Sequence, residues 1–361
     1  MRRSFGLFAA ALVLVPSGRL CGQGTGVVLL PEPQNPVTRV GTRGANFLEI
    51  GVGARAQAMA GAYTGLAEGV TALYWNPAGI SDAPGPAVAL SITKLYGDAG
   101  VKHTFFGGVL PVGANGAFGI SLTQLSSGDM QRTTVAFPEG GDPAFGSTFS
   151  YTATAAGVYY GRRLTDRLAV GVGIKSVTEG IDNAQASYFG LDIGTKFRTG
   201  LYGTHIAASL TNLGSSGQYR GALLSGFTNG VPSDQGTHAE QMPTLFRFSI
   251  RSDVLGPSDA LLAANPRQHL ELLVEMLDGI DTDIQLAVAT QYSYHDMVFL
   301  RAGKRWVNEK NTQFRSGSYG MSFGGGLWLP VGGARRFAFD YAYTNMAELK
   351  NVQVFSLELG F

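Results

Sequence analysis

A search for chemistry in this chain starts with its five histidines, His103, His205, His238, His269 and His295. None stands at the H-E-x-x-H or H-x-H spacing that would put two imidazoles on one cation, so metal chemistry has no anchor. One string, Gly320-Met-Ser-Phe-Gly324, fits the G-x-S-x-G of a nucleophile elbow, which exposes its serine on a sharp strand-to-helix turn. Ser322 instead lies in an alternating stretch that runs on to Leu327-Trp-Leu-Pro330, with no helix after it. Three fixed positions are easily matched by chance in a chain with 51 glycines, so Ser322 reads as a small strand residue. The clusters Gly41-Thr-Arg-Gly44 and Gly51-Val-Gly53 lack the strand and long helix that a nucleotide site needs. The expectation is no enzyme: no catalytic residue, no metal and no cofactor.

The elements that would hold any site begin after a leader. Arg2 and Arg3 precede an apolar run from Phe5 to Val15 that is too short to cross a bilayer as a helix. Residues 1–22 therefore read as a signal peptide cut near Gly22. Cys21, the only cysteine, falls inside it, and Arg19-Leu20 before it suits a lipidation signal badly. The mature chain can then form no disulfide.

Composition excludes whole classes. The chain carries 27 Lys+Arg against 26 Asp+Glu, and without Arg2, Arg3 and Arg19 the balance is 24 against 26. With no basic stripe and no Cys/His cluster, nucleic acid is excluded as a partner. Only 15% of residues are charged, against roughly 25% in a soluble globular protein, while Phe and Tyr together number 35. No apolar run of eighteen residues follows the leader. Any membrane structure must therefore be a closed β-barrel, whose ladder satisfies every backbone group in hydrocarbon.

Alternation at barrel-strand length recurs along the chain. Phe355, Leu357, Leu359 and Phe361 share one face against Ser356, Glu358 and Gly360. Leu168, Val170, Val172 and Ile174 oppose Ala169, Gly171, Gly173 and Lys175. Fourteen strands are expected, near 87–95, 100–110, 115–125, 147–160, 167–178, 184–197, 201–212, 243–252, 267–278, 283–293, 296–305, 316–329, 335–344 and 351–361. Short turns alternate with the longer connections 126–146, 213–242 and 306–315; 253–266 breaks that rule and is expected to hold a small helix. The fold class is thus all-β, a 14-stranded antiparallel transmembrane barrel over 87–361, in the outer membrane of a bacterial cell. Its second face is glycine, alanine and serine with isolated charges, as a crowded lumen requires. Lys175, Asp192, Lys196, Arg301, Arg305 and Asp340 are the candidate lumen charges.

Ahead of the strands, 23–46 reads as an extended arm and 47–86 as a small helical segment. Ala54 to Ala60 suits about two helical turns, and 66–73 a second short helix that Asn76-Pro77 ends, since a residue before proline is pushed out of the α region. Thr71-Ala-Leu-Tyr-Trp-Asn-Pro-Ala-Gly-Ile80 then supplies the plug or rim candidates Tyr74, Trp75, Asn76, Pro77 and Gly79. They either seat this segment against the inner wall or line and close a hydrophobic path.

The block 47–80, FLEIGVGARAQAMAGAYTGLAEGVTALYWNPAGI, resembles the N-terminal signature of the PorV/PorQ family of outer-membrane proteins, itself related in architecture to FadL-type transporters. Weaker matches follow at Asp129-Met130, 164–175, Asp192-Ile-Gly194, Thr211-Asn-Leu-Gly214, Leu300-Arg-Ala-Gly303 and Phe361. The resemblance implies a fourteen-stranded outer-membrane barrel, and a C-terminal Phe361 read by the barrel-assembly machinery. It also implies a component of the type IX secretion system, with the translocon and secreted cargo as protein-transport partners at the long loops. The alternative it implies is a FadL-like transporter whose partner is a hydrophobic small molecule, in contact with outer-membrane lipid.

Overall fold

The computed structural model describes residues 41–97, 99–143, 146–221, 224–228, 231–234, 236–307, 320–332, 335–346 and 351–361. The leader, most of the arm and most of the 306–315 connection lie outside them. Among the described residues no helix is long and apolar enough to cross a membrane. The strands are β1 (Ala87–Lys94), β2 (Lys102–Val112), β3 (Gly116–Gln131), β4 (Thr148–Arg163), β5 (Leu168–Ile181), β6 (Ala184–Arg198) and β7 (His205–Gly214). They continue as β8 (Leu245–Gly256), β9 (Gln268–Gly279), β10 (Gln285–Tyr294), β11 (Val298–Val307), β12 (Met321–Pro330), β13 (Arg336–Asn345) and β14 (Asn351–Gly360).

Each strand pairs antiparallel with the next, and β14 returns to β1 with Ala87 opposite Gly360, so the wall closes. Sixteen members belong to the sheet; two of them, Arg220–Gly221 and Ala263–Ala264, are two-residue annexes, leaving the fourteen expected. Connections 113–115, 164–167, 199–204, 257–267, 295–297 and 331–335 lie at one end, the turn end. Those at the loop end include 132–147 and 215–244.

Alternation sorts the two faces as the pleat demands. Phe118, Val172, Phe189, Leu300 and Leu359 point outward and are exposed, while Ala117, Lys175, Asp192, Arg301 and Ala342 point inward and are buried. An apolar outside on a closed ladder is the structure a bilayer accepts, and it places the protein in the bacterial outer membrane.

Two expectations change. The 253–266 stretch holds no helix: β8 runs to Gly256, and the N–H groups of Leu261 and Leu262 donate back to the carbonyls of Asp253 and Val254 at 2.8 and 3.0 Å. Gly256, at φ 137°, and Pro257 turn the chain into this small ladder. β3 also runs on to Gln131, past its expected end at 125, through an irregularity between Ser126 and Asp129 where Gly128 takes φ 71°.

Candidate functional site: a plugged lumen

The lumen is filled by the residues ahead of β1. The path starts at the loop end, where the Gly44 N–H donates to the Gln241 carbonyl at 3.0 Å. It finishes at the turn end, where the Phe361 N–H donates to the Pro86 carbonyl at 2.8 Å. Between lie a 3-10 turn (Asn46–Glu49), helix α1 (Ala54–Ala58), a second 3-10 turn (Gly69–Thr71), helix α2 (Ala72–Trp75) and a third 3-10 turn (Pro77–Asp82). α1 stops early because Ala60 and Gly61 take φ 53° and 79°. The second helix sits later than 66–73 and ends at Asn76, extended at φ −162°, as a residue before proline must be.

This plug is the hydrophobic core of the molecule. Met59, Tyr63, Leu73, Trp75 and Ile80 are all but inaccessible and pack together against Phe105, Tyr159 and Leu273 of the wall. Trp75 is its centre. The indole N–H donates to the Val52 carbonyl at 2.8 Å, and the ring meets Tyr63 and Tyr74 edge-on at 5.9 and 5.1 Å. The Arg247 guanidinium lies 5.1 Å from the ring centre, a cation–π arrangement inside the barrel. The Tyr74 hydroxyl donates to the Leu48 carbonyl at 2.8 Å. Asn76 Oδ1 accepts from the Ala78 N–H at 3.2 Å, and its amide donates to the carbonyls of Thr64 and of Thr195 on β6, at 3.3 and 3.1 Å.

Glycine is what admits this turn to the wall. A Cβ on Gly171 of β5 would stand 2.2 Å from the carbonyl carbon of Pro77, and one on Gly194 of β6 would stand 2.0 Å from Asn76 Oδ1. On Gly79 it would reach the Ala67 carbonyl oxygen at 2.1 Å, so this position is small for the plug's own packing.

The six candidate lumen charges all face inward, but they divide into two roles. Lys175 and Asp192 pair between β5 and β6 at 2.8 Å. Arg301 and Asp340 pair at 2.5 Å across β12, over Gly326, where a Cβ would strike Asp340. Lys196 and Arg305 hold the plug: Lys196 pairs with Asp82 at 2.7 Å and donates to the Ala67 carbonyl, and Arg305 Nε donates to the Ala60 carbonyl at 2.8 Å. Asp192 and Lys196 share a face without sharing a bond. Phe361 stands exposed at the turn end. Ser322 faces the lumen in β12 with its hydroxyl bonded to that of Thr344. Among the described residues no group of three or more metal-ligating side chains converges.

Sequence reasoning missed several residues that fasten the plug. Glu275 of β9 accepts from both the N–H and the hydroxyl of Thr64, at 2.8 and 2.9 Å. Arg55 of α1 pairs with Glu68 at 2.7 Å and reaches Gln291 of β10 at 3.2 Å. Burial alone would raise the Glu68 carboxyl, but the charge and hydrogen bond of Arg55 outweigh it and hold Glu68 at about 2. An arginine in a run of small residues was the available signal.

Two cavities flank the Trp75 layer. The loop-side one, about 540 Å³, is walled by Phe47, Ile50, Leu95, Leu125, Leu245 and Leu277, with Trp75 and Arg247 also lining it. The turn-side one, about 440 Å³, is bordered by Arg55, Glu68, Asp82, Arg336, Asp340 and Glu358. The first joins that apolar side to charged groups at Glu49, Arg247, Glu275 and Arg305. The second sets its charges against an apolar side that includes Pro84, Pro86, Ala87, Leu90, Phe105 and Leu357.

Glu49, on the loop-side cavity, carries a pH dependence. Burial first, then the neighbouring Asp281 charge and their hydrogen bond, push its carboxyl from an ordinary 4.5 to about 7, against the lowering effect of Arg247; Tyr74 also faces it. The folded state therefore binds this proton more tightly than the unfolded chain does, and stability falls as pH rises between those values. Protection of 46–50 in hydrogen exchange, corrected for intrinsic rates, should be highest below about 4.5 and decline towards pH 7. In Glu49→Gln the decline should vanish; a decline that persists would assign it to another group.

The fold can now be compared with solved structures. The Ralstonia pickettii toluene transporter TbuX aligns at 13% identity with a TM-score of 0.51, covering 86% of this chain and 97% of that one. The Pseudomonas putida toluene transporter TodX aligns at 12% and 0.50, over 84% and 95%. A Pseudomonas aeruginosa FadL homologue aligns at 12% and 0.50, over 85% and 97%. The fold is FadL-like. At these identities the likeness speaks for the barrel fold, not for what this FadL-like chain carries. No protein-family model and no curated protein matches the sequence, so the PorV/PorQ resemblance stands on its own residues.

Proposed function

We propose that this chain is a FadL-like outer-membrane transporter that takes up hydrophobic small molecules, holding them first in the loop-side cavity. The observation that carries the reading is that cavity: about 540 Å³, with an apolar side of Phe47, Ile50, Leu95, Leu125, Leu245, Leu277 and Trp75 and a polar side that includes Glu49, Gln57, Arg247, Glu275, Gln285 and Arg305. Its volume falls within the range of about 300–1,000 Å³ usual for ligand sites. The toluene transporters among the structural neighbours support the same reading. In it, Tyr74 to Gly79 form the seat of the gate, and Lys196 and Arg305 are its fastenings.

Saturable binding of N-phenyl-1-naphthylamine to the protein in nanodiscs tests this. The wild type should bind, and Leu277→Trp, which fills the cavity from β9, should weaken binding roughly tenfold, a loss of about 1.4 kcal/mol. A wild type without saturable binding sinks the reading.

The secretion-component reading is supported by the resemblance of 47–80. It would use the loops 126–146, 213–242 and 306–315 to bind a translocon or exported cargo. Purification from native membranes with mass spectrometry discriminates, since that reading requires stoichiometric protein partners. Recognition of Phe361 by the assembly machinery belongs to either reading.

A further inference from the structure

Where the long 215–244 connection meets the plug, four donors converge on one carboxylate. Glu179, near the loop end of β5, is buried and forms no ion pair among the described residues. Its Oε1 accepts from the Tyr151 hydroxyl of β4 at 2.6 Å. Its Oε2 accepts from the Tyr188 hydroxyl of β6 at 3.2 Å, the Tyr219 hydroxyl of the connection at 3.3 Å, and the Ala45 N–H of the plug at 3.0 Å.

A second set of contacts joins the same two segments. Gly44 donates to the Gln241 carbonyl, and the Arg43 guanidinium donates to the Gln241 side chain at 2.8 Å. Met242 packs in one apolar cluster with Ala45, Phe47 and Leu48. The connection is ordered at this point. Ser216–Gly217 pairs with Glu240–Gln241, Tyr219 and Thr237 bond to each other twice, and Arg220–Gly221 pairs with the start of β6. This stem and the first plug residues thus share one carboxylate and one glutamine. Asn46, Phe47, Glu49 and Tyr151, next to these bonds, also wall the loop-side cavity.

We infer that the Glu179 cluster is a latch, through which the position of the 216–221/236–241 stem sets whether plug residues 43–50 stay seated. A buried carboxylate is stable only while its donors are in place, so loss of one weakens the hold on the others. Coupling of this kind is reciprocal: loss of the stem's hold on Glu179 loosens the plug, and the reverse. A displacement of the stem would then open the loop-side cavity. That consequence rests on the transport reading, whereas the latch does not.

Hydrogen exchange at fixed pH, on the full chain in nanodiscs, tests the latch without any ligand. Tyr219→Phe alters only the stem, yet exchange of 44–50 should rise roughly tenfold, the size expected for losing a hydrogen bond to a charged group. Arg43→Ala alters only the plug, yet exchange of 236–241 should rise. Arg220→Ala, a stem change away from Glu179, should leave 44–50 unmoved. Effects of Y219F and R43A confined to their own segments would overturn the latch, as would R220A loosening 44–50 equally. Failure of naphthylamine binding with the exchange coupling intact would instead count against the transport reading alone.

Discussion

Trp75→Ala is expected to unseat the plug while leaving the wall closed. The side chain is buried to 2% exposure, and truncation removes the indole bond to Val52, two aromatic contacts and the ring beneath Arg247. Burying an arginine without its ring partner adds to the loss. Large-to-small changes of this kind cost about 3–5 kcal/mol, which is on the order of a hundredfold or more in the open population. The wall closes through its own backbone ladder, and of these contacts it supplies only the Arg247 side chain of β8. Limited proteolysis in detergent should therefore cut faster between residues 47 and 80, with the strands still resistant. Because Trp75 lines the loop-side cavity and Tyr63 the turn-side one, single-channel conductance should rise as well. An unchanged cleavage rate would show that the tryptophan does not anchor the segment.

Gly171→Ala should act on the same segment from the opposite side. The added methyl carbon would meet backbone atoms of Pro77 and Ala78 at 2.2–2.3 Å, and backbone held in a 3-10 turn cannot swing aside as a side chain can. Overpacking costs about 1–3 kcal/mol, and more where nothing yields. Alanine itself suits the strand better than glycine does, so the wall loses nothing. Gly108→Ala is the control, since its nearest neighbour would lie at 3.6 Å. Exchange of 76–82 should accelerate strongly in G171A and stay at the wild-type rate in G108A. Equal rates in the two would mean that the glycine is not the seat of the Asn-Pro turn.

Much of the wall was legible because the bilayer enforces a strict period of two. Leu168 to Lys175 or Phe355 to Phe361 can satisfy lipid on one side and a crowded lumen on the other in one register only. The ends of β3 and the 253–266 stretch were less legible. Outside the hydrocarbon no period is enforced, and local ladders at Gly128 and Gly256 decide. The plug showed its existence but not its wiring. That Trp75 and Asn76-Pro77 form a buried turn follows from their types. That Lys196 pairs with Asp82 rather than with Asp192, four residues away, depends on a tertiary contact with no sequence spacing. Glu179 and Glu275 looked like any other inward position, because alternation assigns a face and says nothing of what the face meets.

The pairing of Ala87 with Gly360 closes the wall between strands far apart in sequence. One of them, β1, follows directly on the plug. Contacts between such distant parts of a chain are slow to form, since loop closure must precede any reward. Asn76, Lys196 and Glu275 bond the plug to β6 and β9, well inside the circuit. The plug thus ties the segment beside the seam to strands remote from the seam in the circuit, through its seat on β4, β5 and β6 and its bonds to β6 and β9.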